Sequence, residues 1–229
     1  MSLSYSSLVL ADGRFPAGGY AHSGGLEAAV GAGRVRDLAS LHEFLLGRLC
    51  TVGLTEAALS AATAVRLEQD PPTAVAWDDL GAEAHARIAS PRLRETSRRL
   101  GRQLVRTARA TWPSQLLDSL DPAMKDGPHL SIAHGCVGHV AGLDAFAIAV
   151  TSTYGTVAGP ATAAVRLLGL DPAAVSGLIA TLATDAEEVA ATAVEAGGGP
   201  LDELPCPAAT LVEIESERHE QWEVRLFAS

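Results

Sequence analysis

Hydrophobic residues recur every three or four positions through much of the chain, which is the period of an amphipathic helix. Behind Asp37, whose side chain can cap a helix, Leu41 and Leu45 mark one apolar face. Gly53 is expected to separate this helix from a second one that ends near Gln69. Alternating runs of β-branched and aromatic residues, which would indicate strands, are nearly absent.

Prolines and capping aspartates predict where the later helices begin. Pro128 opens a short helix, and Asp144 opens a long apolar helix that is expected to break near Gly159-Pro160. Asp171-Pro172 opens a last body helix that is expected to continue to about Ala196. This pattern of helix signals therefore predicts an all-α fold with the helices packed as a bundle.

The most polar helix follows Ser90-Pro91, where a capping hydroxyl precedes a proline at the first helical position and predicts a helix over about 91–111. Arginines cover much of its surface: Arg92, Arg94, Arg98, Arg99, Arg102, Arg106 and Arg109. Three interpretations are open. The arginines form a solvated face, pair with some of the 27 acidic residues of the same chain, or dock an acidic partner through planar pairing with carboxylates.

Glycine and proline divide the chain into a body and an extension. Residues 1–196 are predicted to form a single-domain helical bundle, with a glycine-rich N-terminal loop over 12–25. Residues 197–207 are rich in glycine and proline and are interpreted as a linker. Residues 208–229 are interpreted as a C-terminal interaction segment.

The composition fits a globular helical protein and excludes several classes of function. Hydrophobic residues make up 48% and aromatic residues only 4%, so a core of Ala, Leu and Val is expected. The net charge of −10 argues against a nucleic-acid binder. The single lysine, Lys125, is followed by Asp126, so the sequence contains no P-loop motif of a GTPase.

Cysteine usage and the apolar runs favour the cytoplasm. The three cysteines, Cys50, Cys136 and Cys206, are far apart and odd in number, which predicts no disulfide framework and favours a reducing compartment. No secretory signal pattern is visible. The longest uncharged run, 145–165, contains polar and helix-breaking residues and indicates a buried helix, so no membrane association is expected.

His134, Cys136 and His139 are candidates for metal chemistry. On a helix, Cys136 and His139 share a face, and imidazole with thiolate suits nickel or zinc. A metal-dependent enzyme or metal-binding protein that uses these three residues is the alternative function. A cysteine on an apolar helix is more often a core residue, so Cys136 and His139 stay candidates and no catalytic residue is assigned.

The two ends of the chain carry the most informative motifs. The first end joins Pro16 to four glycines and Ser23 just before an apolar helix pattern, and glycine lets another surface approach closely. The other end carries Trp222, Leu226 and Phe227 beyond the linker. Two interpretations of these large side chains are open: they pack on the body, or they anchor in a partner's groove.

Taken in order, these motifs resemble those of the UreF family of urease accessory proteins. The N-terminal match consists of Pro16, Gly18, Gly19, Ser23, Gly25, Leu26 and Glu27. Central matches are Arg94-Glu95 with Arg98, the segment 129–135, Tyr154-Gly155, and the segment 164–167 that contains Arg166. The C-terminal match is His219-Glu220 followed by Arg225, Leu226 and Phe227, with Ala228 where the family usually has arginine.

The resemblance implies a non-enzymatic, dimer-forming scaffold whose matched residues bind partners. UreF proteins join UreD (also called UreH) and the GTPase UreG in a complex that activates apo-urease, and they couple GTP hydrolysis to nickel insertion. The C-terminal segment is then expected to dock on UreD and the body to contact UreG. The resemblance implies no tightly bound cofactor, since nickel is handled by the complex, and no nucleic-acid partner.

Overall fold

The computed structural model describes residues 4–69, 75–124 and 126–227, and these residues form an all-α fold without a β-strand. The predicted fold class is confirmed. The helices in chain order are α1 (Tyr5–Ala11), α2 (Leu26–Gly31), α3 (Leu38–Arg48), α4 (Leu54–Gln69), α5 (Trp77–Ala86), α6 (Pro91–Thr111), α7 (Gln115–Ala123), α8 (Leu130–Val140), α9 (Ala145–Leu168), α10 (Pro172–Thr181), α11 (Ala183–Gly197) and α12 (Thr210–His219). Short 3-10 turns cover Gly19–Ala21 and Leu201–Glu203, and a π turn covers Leu49–Gly53.

Helix α4 is the centre of the bundle, where it packs against α8, α9 and α11. Small side chains make this close packing possible. A Cβ on Gly135 of α8 would lie 2.5 Å from the carbonyl oxygen of Ser60, and a Cβ on Gly197 of α11 would lie 2.8 Å from the amide nitrogen of Ala62. Most buried residues of the core are alanine, leucine and valine, as the composition predicted.

The expectation that Gly53 separates two helices is wrong. Helices α3 and α4 form one continuous helix, Leu38–Gln69, joined by the π turn. Gly53 is buried within it, and a Cβ there would lie 3.3 Å from Thr156 of α9, so this glycine serves packing. A π turn inserts one extra residue, so residues eight apart across it lie about 20° apart around the axis instead of about 80°.

The expected break near Gly159-Pro160 is also wrong, because α9 continues through Pro160 to Leu168. Proline has no N–H, so the carbonyl of Thr156, four residues earlier, loses its helical donor. Arg48 supplies a replacement, since its Nε donates to that carbonyl oxygen at 3.3 Å. A side chain from α3 therefore satisfies the backbone group that the proline leaves without its usual partner.

The last body helix, expected to be continuous, is divided into α10 and α11 at Leu182. Leu182 has φ −85° and ψ 2°, and its side chain is buried in the core. The turn lets α10 pack on α3 and α9 while α11 packs on α4 and α9. Tertiary packing thus overrides the helical propensity of the sequence at this point.

Residues that follow α11 lie along the body. Arg66 donates to the carbonyl oxygen of Gly199 at 3.0 Å, and Arg87 donates to those of Leu201 (2.9 Å) and Leu204 (3.1 Å). Two arginines of the body therefore fix the segment predicted as a linker. The domain boundaries at 196 and 207 stay predictions, and Lys125 lies outside the described residues.

Among the described residues, one helical stretch is long and apolar enough to cross a membrane: Leu38–Gln69. Half of its most apolar window is buried inside the structure. A core helix meets the same criteria of length and composition, so this stretch is weak evidence for a membrane span.

Candidate functional site

The N-terminal loop lies along α6 and leads into α2. The carbonyl oxygen of Pro16 accepts hydrogen bonds from Gln103 Nε2 (2.8 Å) and Thr107 Oγ1 (2.9 Å), both on α6. Gly18 and Gly25 have φ angles of 85° and 88°, in the region that favours glycine. A Cβ on Gly18 would also lie 3.3 Å from the Gln103 side chain, so both the backbone angle and the close approach require glycine.

Glu27, in the first turn of α2, receives the C-terminal end of the chain. The carboxylate is buried, at 6% exposure. It accepts hydrogen bonds from the amides of Leu226 (2.8 Å) and Phe227 (3.1 Å), and it lies 3.0 Å from His219 Nε2. Ser23 Oγ accepts from the Glu27 amide at 3.3 Å and holds the start of the helix. We call Glu27, His219, Leu226 and Phe227 the Glu27 clamp.

A buried carboxylate is stable only when its oxygens are hydrogen-bonded. In the Glu27 clamp both oxygens have donors, one from Leu226 and the other from Phe227 and His219. These donors belong to a segment nearly 200 residues away, since the Leu226 contact spans 199 positions. The clamp therefore joins the two ends of the chain, which carry the two most informative motifs.

Phe227 anchors the C-terminal segment in the core. Its side chain is 7% exposed and belongs to the same hydrophobic cluster as Leu26 and Leu41. The Arg166 guanidinium of α9 lies 5.5 Å from the centroid of the Phe227 ring, within range of a cation–π interaction. Of the two interpretations of the large terminal side chains, Phe227 therefore follows the first, because it packs on the body. Ala228 lies outside the described residues.

Trp222 forms a second contact between the C-terminal segment and α2. Its ring centroid lies 4.7 Å from that of His219. A Cβ on Gly31 would lie only 2.5 Å from the Trp222 ring, so glycine at this position makes room for the indole. The sequence motifs identified Trp222 as a large terminal residue but gave no signal for Gly31.

A network of three ion pairs lies at the surface where the segment meets α6, and one of the three, Arg92–Glu220, connects them. Arg92 contacts Glu95 and Glu220, both at 2.9 Å, and Arg225 contacts Glu220 at 2.7 Å. The hydrogen bond from Arg225 holds the pKa of Glu220 below its ordinary value. Exposed pairs of this kind are screened by water and salt, so they orient the segment and add little stability.

Helix α12 is fixed against the start of α6. Ser90 Oγ caps α6 by accepting from the Leu93 amide at 3.1 Å, as predicted, and it also lies 2.9 Å from Ser216 Oγ. Glu213 accepts from the Ser90 amide, and Glu217 accepts from its hydroxyl. The sequence predicted the cap but not its second role as an anchor for α12.

A cavity of about 610 Å³ lies beneath the C-terminal segment, between the N-terminal loop, α4, α6 and α9. Its polar lining includes Arg48, Glu56 and Thr156. Arg48 and Glu56 are eight residues apart and share a face because the π turn lies between them. Burial lowers the pKa of Arg48 and raises that of Glu56, and the opposite charge of each group partly offsets the shift of the other.

The C-terminal segment also presents large hydrophobic side chains to solvent. Of the eight that are exposed in the described residues, five lie in this segment: Leu211, Ile214, Trp222, Val224 and Leu226. Val224 is 81% exposed and Leu226 is 71% exposed, although Leu226 is next to the buried Phe227. Clustered exposed hydrophobic side chains mark an interaction site more often than scattered ones do.

Several predicted residues lie outside the Glu27 clamp. Arg94 donates to the carbonyl oxygens of Ile88 and Ala89, both at 2.7 Å, and fixes the turn between α5 and α6. Tyr154 is 43% exposed on α9, and Gly19 begins the 3-10 turn after Gly18. That Arg94, Tyr154 and Gly19 bind a partner stays a prediction.

The candidate metal residues lie in and beside the core. Burial raises the pKa of the Cys136 thiol above its ordinary value, which disfavours the thiolate that binds metals. Burial also lowers the pKa of His134 to about 4, and its Nε2 lies 2.9 Å from Thr151 Oγ1. In residues 4–69, 75–124 and 126–227, no three His, Cys, Asp or Glu side chains are placed to share an ion. The described residues therefore hold no three-ligand site for the metal alternative, and Cys136 with His139 stay candidates.

Comparison with known proteins agrees with the resemblance. The sequence model of the UreF family matches residues 35–183. Urease accessory protein UreF of Mycolicibacterium vanbaalenii is 41% identical over 229 residues, which is the full length of both chains. The UreF proteins of Mycobacterium sp. strain JLS and Mycobacterium marinum are each 42% identical over 222 residues, or 97% of both chains. These matches place the chain among the urease accessory proteins. It belongs to the UreF family.

Proposed function

We propose that the chain is a non-enzymatic scaffold for urease maturation. It bridges UreD/UreH and the GTPase UreG, and so couples GTP hydrolysis to nickel insertion into apo-urease. The observation that supports this role is the C-terminal segment, which is held by Glu27 and presents exposed hydrophobic side chains. Such side chains supply much of the binding energy when they enter a partner's groove.

Different residues of the C-terminal segment have different roles: some hold it on the body and others are available to a partner. Glu27 and Phe227 hold it on the body, while Val224 and Leu226 are exposed and available to a partner. A segment that is already ordered loses less conformational entropy on binding than a free tail does. The segment therefore acts as a preorganised docking element, and UreD is its proposed partner.

Catalysis is assigned to a partner in this proposal. The chain has one lysine, which is followed by aspartate, and it lacks the P-loop motif that GTP hydrolysis requires. UreG supplies that motif. Nickel is the cargo of the complex, which is proposed to assemble in the cytoplasm around a homodimer of this chain.

A pair of matched variants tests the docking element. Val224→Ser/Leu226→Ser removes two exposed hydrophobic side chains from the segment, and Tyr5→Ser/Leu8→Ser removes two from α1. In pull-down and titration with purified UreD, we expect at least tenfold weaker binding for the first variant, because each interface side chain contributes about 1 kcal/mol or more. The α1 variant is expected to bind as the unchanged chain does.

Two outcomes would contradict the proposal. Equal binding by both variants would remove the C-terminal segment from the interface. A chain that captures neither UreD nor UreG, or a strain that makes fully active urease after loss of this gene, would refute the bridging role as a whole.

A further inference from the structure

The outer face of α6 carries three arginines that pair with no carboxylate in the described part of the chain. The helix buries Gly101, Leu104, Val105 and Ala108 against the core. On the opposite side, Arg99, Arg102 and Arg106 are exposed, at the spacing i, i+3 and i+7. At 1.5 Å per residue they extend over about 10 Å of one helix face. We call these three residues the arginine stripe.

Four other arginines of α6 have partners within the chain. Arg92 pairs with Glu95 and Glu220, Arg98 with Asp126, and Arg109 with Asp118. Arg94 donates to two backbone carbonyl oxygens. Internal pairing, the second of the three interpretations of this helix, therefore holds for part of it.

The arginine stripe differs from Arg92, Arg98 and Arg109 because its members have no carboxylate partner among the described residues. It differs from Arg94 because its members are exposed, whereas Arg94 is half-buried. Arg99 lies 3.3 Å from a ring nitrogen of His22, Arg102 donates to the carbonyl oxygen of Asp126 at 2.6 Å, and Arg106 donates to Gln103 Oε1. Among the described residues, none of the three has a carboxylate within ion-pair distance. This contrasts with an excess of acid in the whole chain, 27 Asp and Glu against 17 Lys and Arg.

Like charges at these helical spacings repel each other. The intrachain contacts of the stripe do not neutralise that repulsion, whereas carboxylates from outside would. Guanidinium groups pair with carboxylates through two parallel hydrogen bonds, which makes arginine suited to this task. We propose that the arginine stripe docks an acidic segment of a protein partner in the accessory complex, an inference that rests on the proposed scaffold function.

The surroundings of the stripe favour a protein partner. The N-terminal loop runs beside it, through the Pro16 contacts with Gln103 and Thr107 and the His22 contact with Arg99. Its glycines leave the backbone accessible for close approach. A nucleic acid would meet three cations on a chain of net charge −10, which repels an extended polyanion, whereas a short acidic segment needs only the stripe.

A charge reversal with a matched control tests this proposal. Arg106→Glu changes the stripe, and Arg36→Glu makes the same change of charge at a side chain that is 80% exposed, away from α6. Binding of each variant to purified UreD and UreG is measured at 50 and 200 mM salt, with melting curves to confirm folding. We expect Arg106→Glu to weaken the binding of one partner at least tenfold at low salt and less at high salt, and Arg36→Glu to have no effect.

An independent probe separates this proposal from the proposed function. A peptide of six glutamates should bind the unchanged chain and bind Arg106→Glu at least tenfold more weakly, with Arg106→Gln intermediate. If the chain binds UreD or UreG and Arg106→Glu binds them equally well, the stripe proposal is overturned and the scaffold stands. If neither partner binds, the scaffold fails, and the peptide alone then decides whether the stripe recognises acidic segments.

Two further results would overturn the assignment to an acidic protein segment. Tighter binding to a short DNA duplex than to the glutamate peptide would make the stripe a polyanion site. Salt-sensitive self-association that Arg106→Glu abolishes would make a second copy of this chain its occupant.

Discussion

The Glu27 clamp and the polar residues of α8 are two buried polar regions with opposite characters. In the clamp, a carboxylate gathers donors from residues up to 200 positions away. In α8, His134 bonds to Thr151, and Cys136 is enclosed by hydrophobic neighbours. The first region joins distant parts of the chain, whereas the second fills the core with uncharged groups.

The contrast shows that residue type alone is a poor guide to a functional site. The histidine and cysteine of α8 attract attention as metal ligands, yet burial favours the protonated thiol of Cys136 over the thiolate that binds metals, and His134 is hydrogen-bonded to Thr151. Glutamate is a common residue type, and Glu27 is important because His219 and the amides of Leu226 and Phe227 all bond to its carboxylate. The following changes probe this contrast, beginning with the largest expected effect.

Glu27→Gln should be the most damaging of these changes. A glutamine side chain has one acceptor oxygen in place of two, and its NH₂ group would face a backbone N–H donor. We expect the free energy of unfolding to fall by about 3 kcal/mol, because a buried hydrogen-bonded charge is lost and a donor is left unpaired. Urea denaturation measures this loss, and faster hydrogen exchange at the Leu226 and Phe227 amides would show release of the segment.

The control is Glu223→Gln, an exposed position on the same segment. It should change the free energy of unfolding by less than about 0.5 kcal/mol. Equal stability of the two variants, or unchanged exchange at Leu226 and Phe227, would show that Glu27 does not hold the C-terminal segment.

In α8, the most damaging change should be steric. A Cβ at Gly135 would lie 2.5 Å from the Ser60 carbonyl oxygen and 2.7 Å from Thr63 Cβ. Gly135→Ala is therefore expected to lower the free energy of unfolding by about 2 kcal/mol through overpacking against α4. Thermal and urea unfolding both report this change.

Gly177→Ala in α10 is the matched control, because a Cβ there meets nothing within 4 Å. Alanine is the better helix former, so this variant should gain up to about 1 kcal/mol. Destabilisation of both variants alike would contradict a specific contact at Gly135.

His134 should make stability depend on pH. Its folded pKa, about 4, lies below the ordinary value of 6.5. Below pH 6.5 the unfolded chain takes up the proton first, so this contribution to stability is complete above 6.5 and decreases as the pH falls towards 4. Between pH 7.5 and 5.5, His134 should account for a loss of about 1.4 kcal/mol in the free energy of unfolding.

His134→Gln removes the titrating group and keeps a possible hydrogen bond to Thr151. Urea denaturation at both pH values should show a smaller loss in this variant. His129 has a pKa lowered to about 4 by the same cause, so part of the loss remains. An identical loss in both proteins would mean that His134 titrates normally.

Local signals predicted much of the fold. Helix starts depend on neighbouring residues, and the expected starts at Ser90-Pro91, Asp144 and Asp171-Pro172 are confirmed. Expected interruptions at Gly53 and Pro160 are wrong, because distant partners decide them: Thr156 packs on Gly53, and Arg48 bonds the carbonyl that Pro160 leaves without a donor. No local pattern contains that information.

The candidate site was also predictable only in part. The motifs at both ends could be recognised from the sequence, and so could the family. Their convergence on Glu27 could not, because the Leu226 contact spans 199 positions and depends on how α2, α6 and α12 pack. Gly31 gave no signal either, since its role is only to make room for Trp222.

The smallest effect is expected at the surface of the clamp region. Arg225 pairs with Glu220 at 2.7 Å, but Glu220 keeps Arg92 as a second partner at 2.9 Å. Arg225→Ala should therefore lower the free energy of unfolding less than Gly135→Ala does, because water and salt screen an exposed ion pair. Arg92→Ala is expected to cost more, because Arg92 pairs with both Glu95 and Glu220. Urea denaturation of Arg225→Ala and Arg92→Ala measures both losses. A loss for Arg225→Ala as large as that for Glu27→Gln would mean that surface charge holds the segment. The buried carboxylate would then no longer distinguish this region from the rest of the molecule.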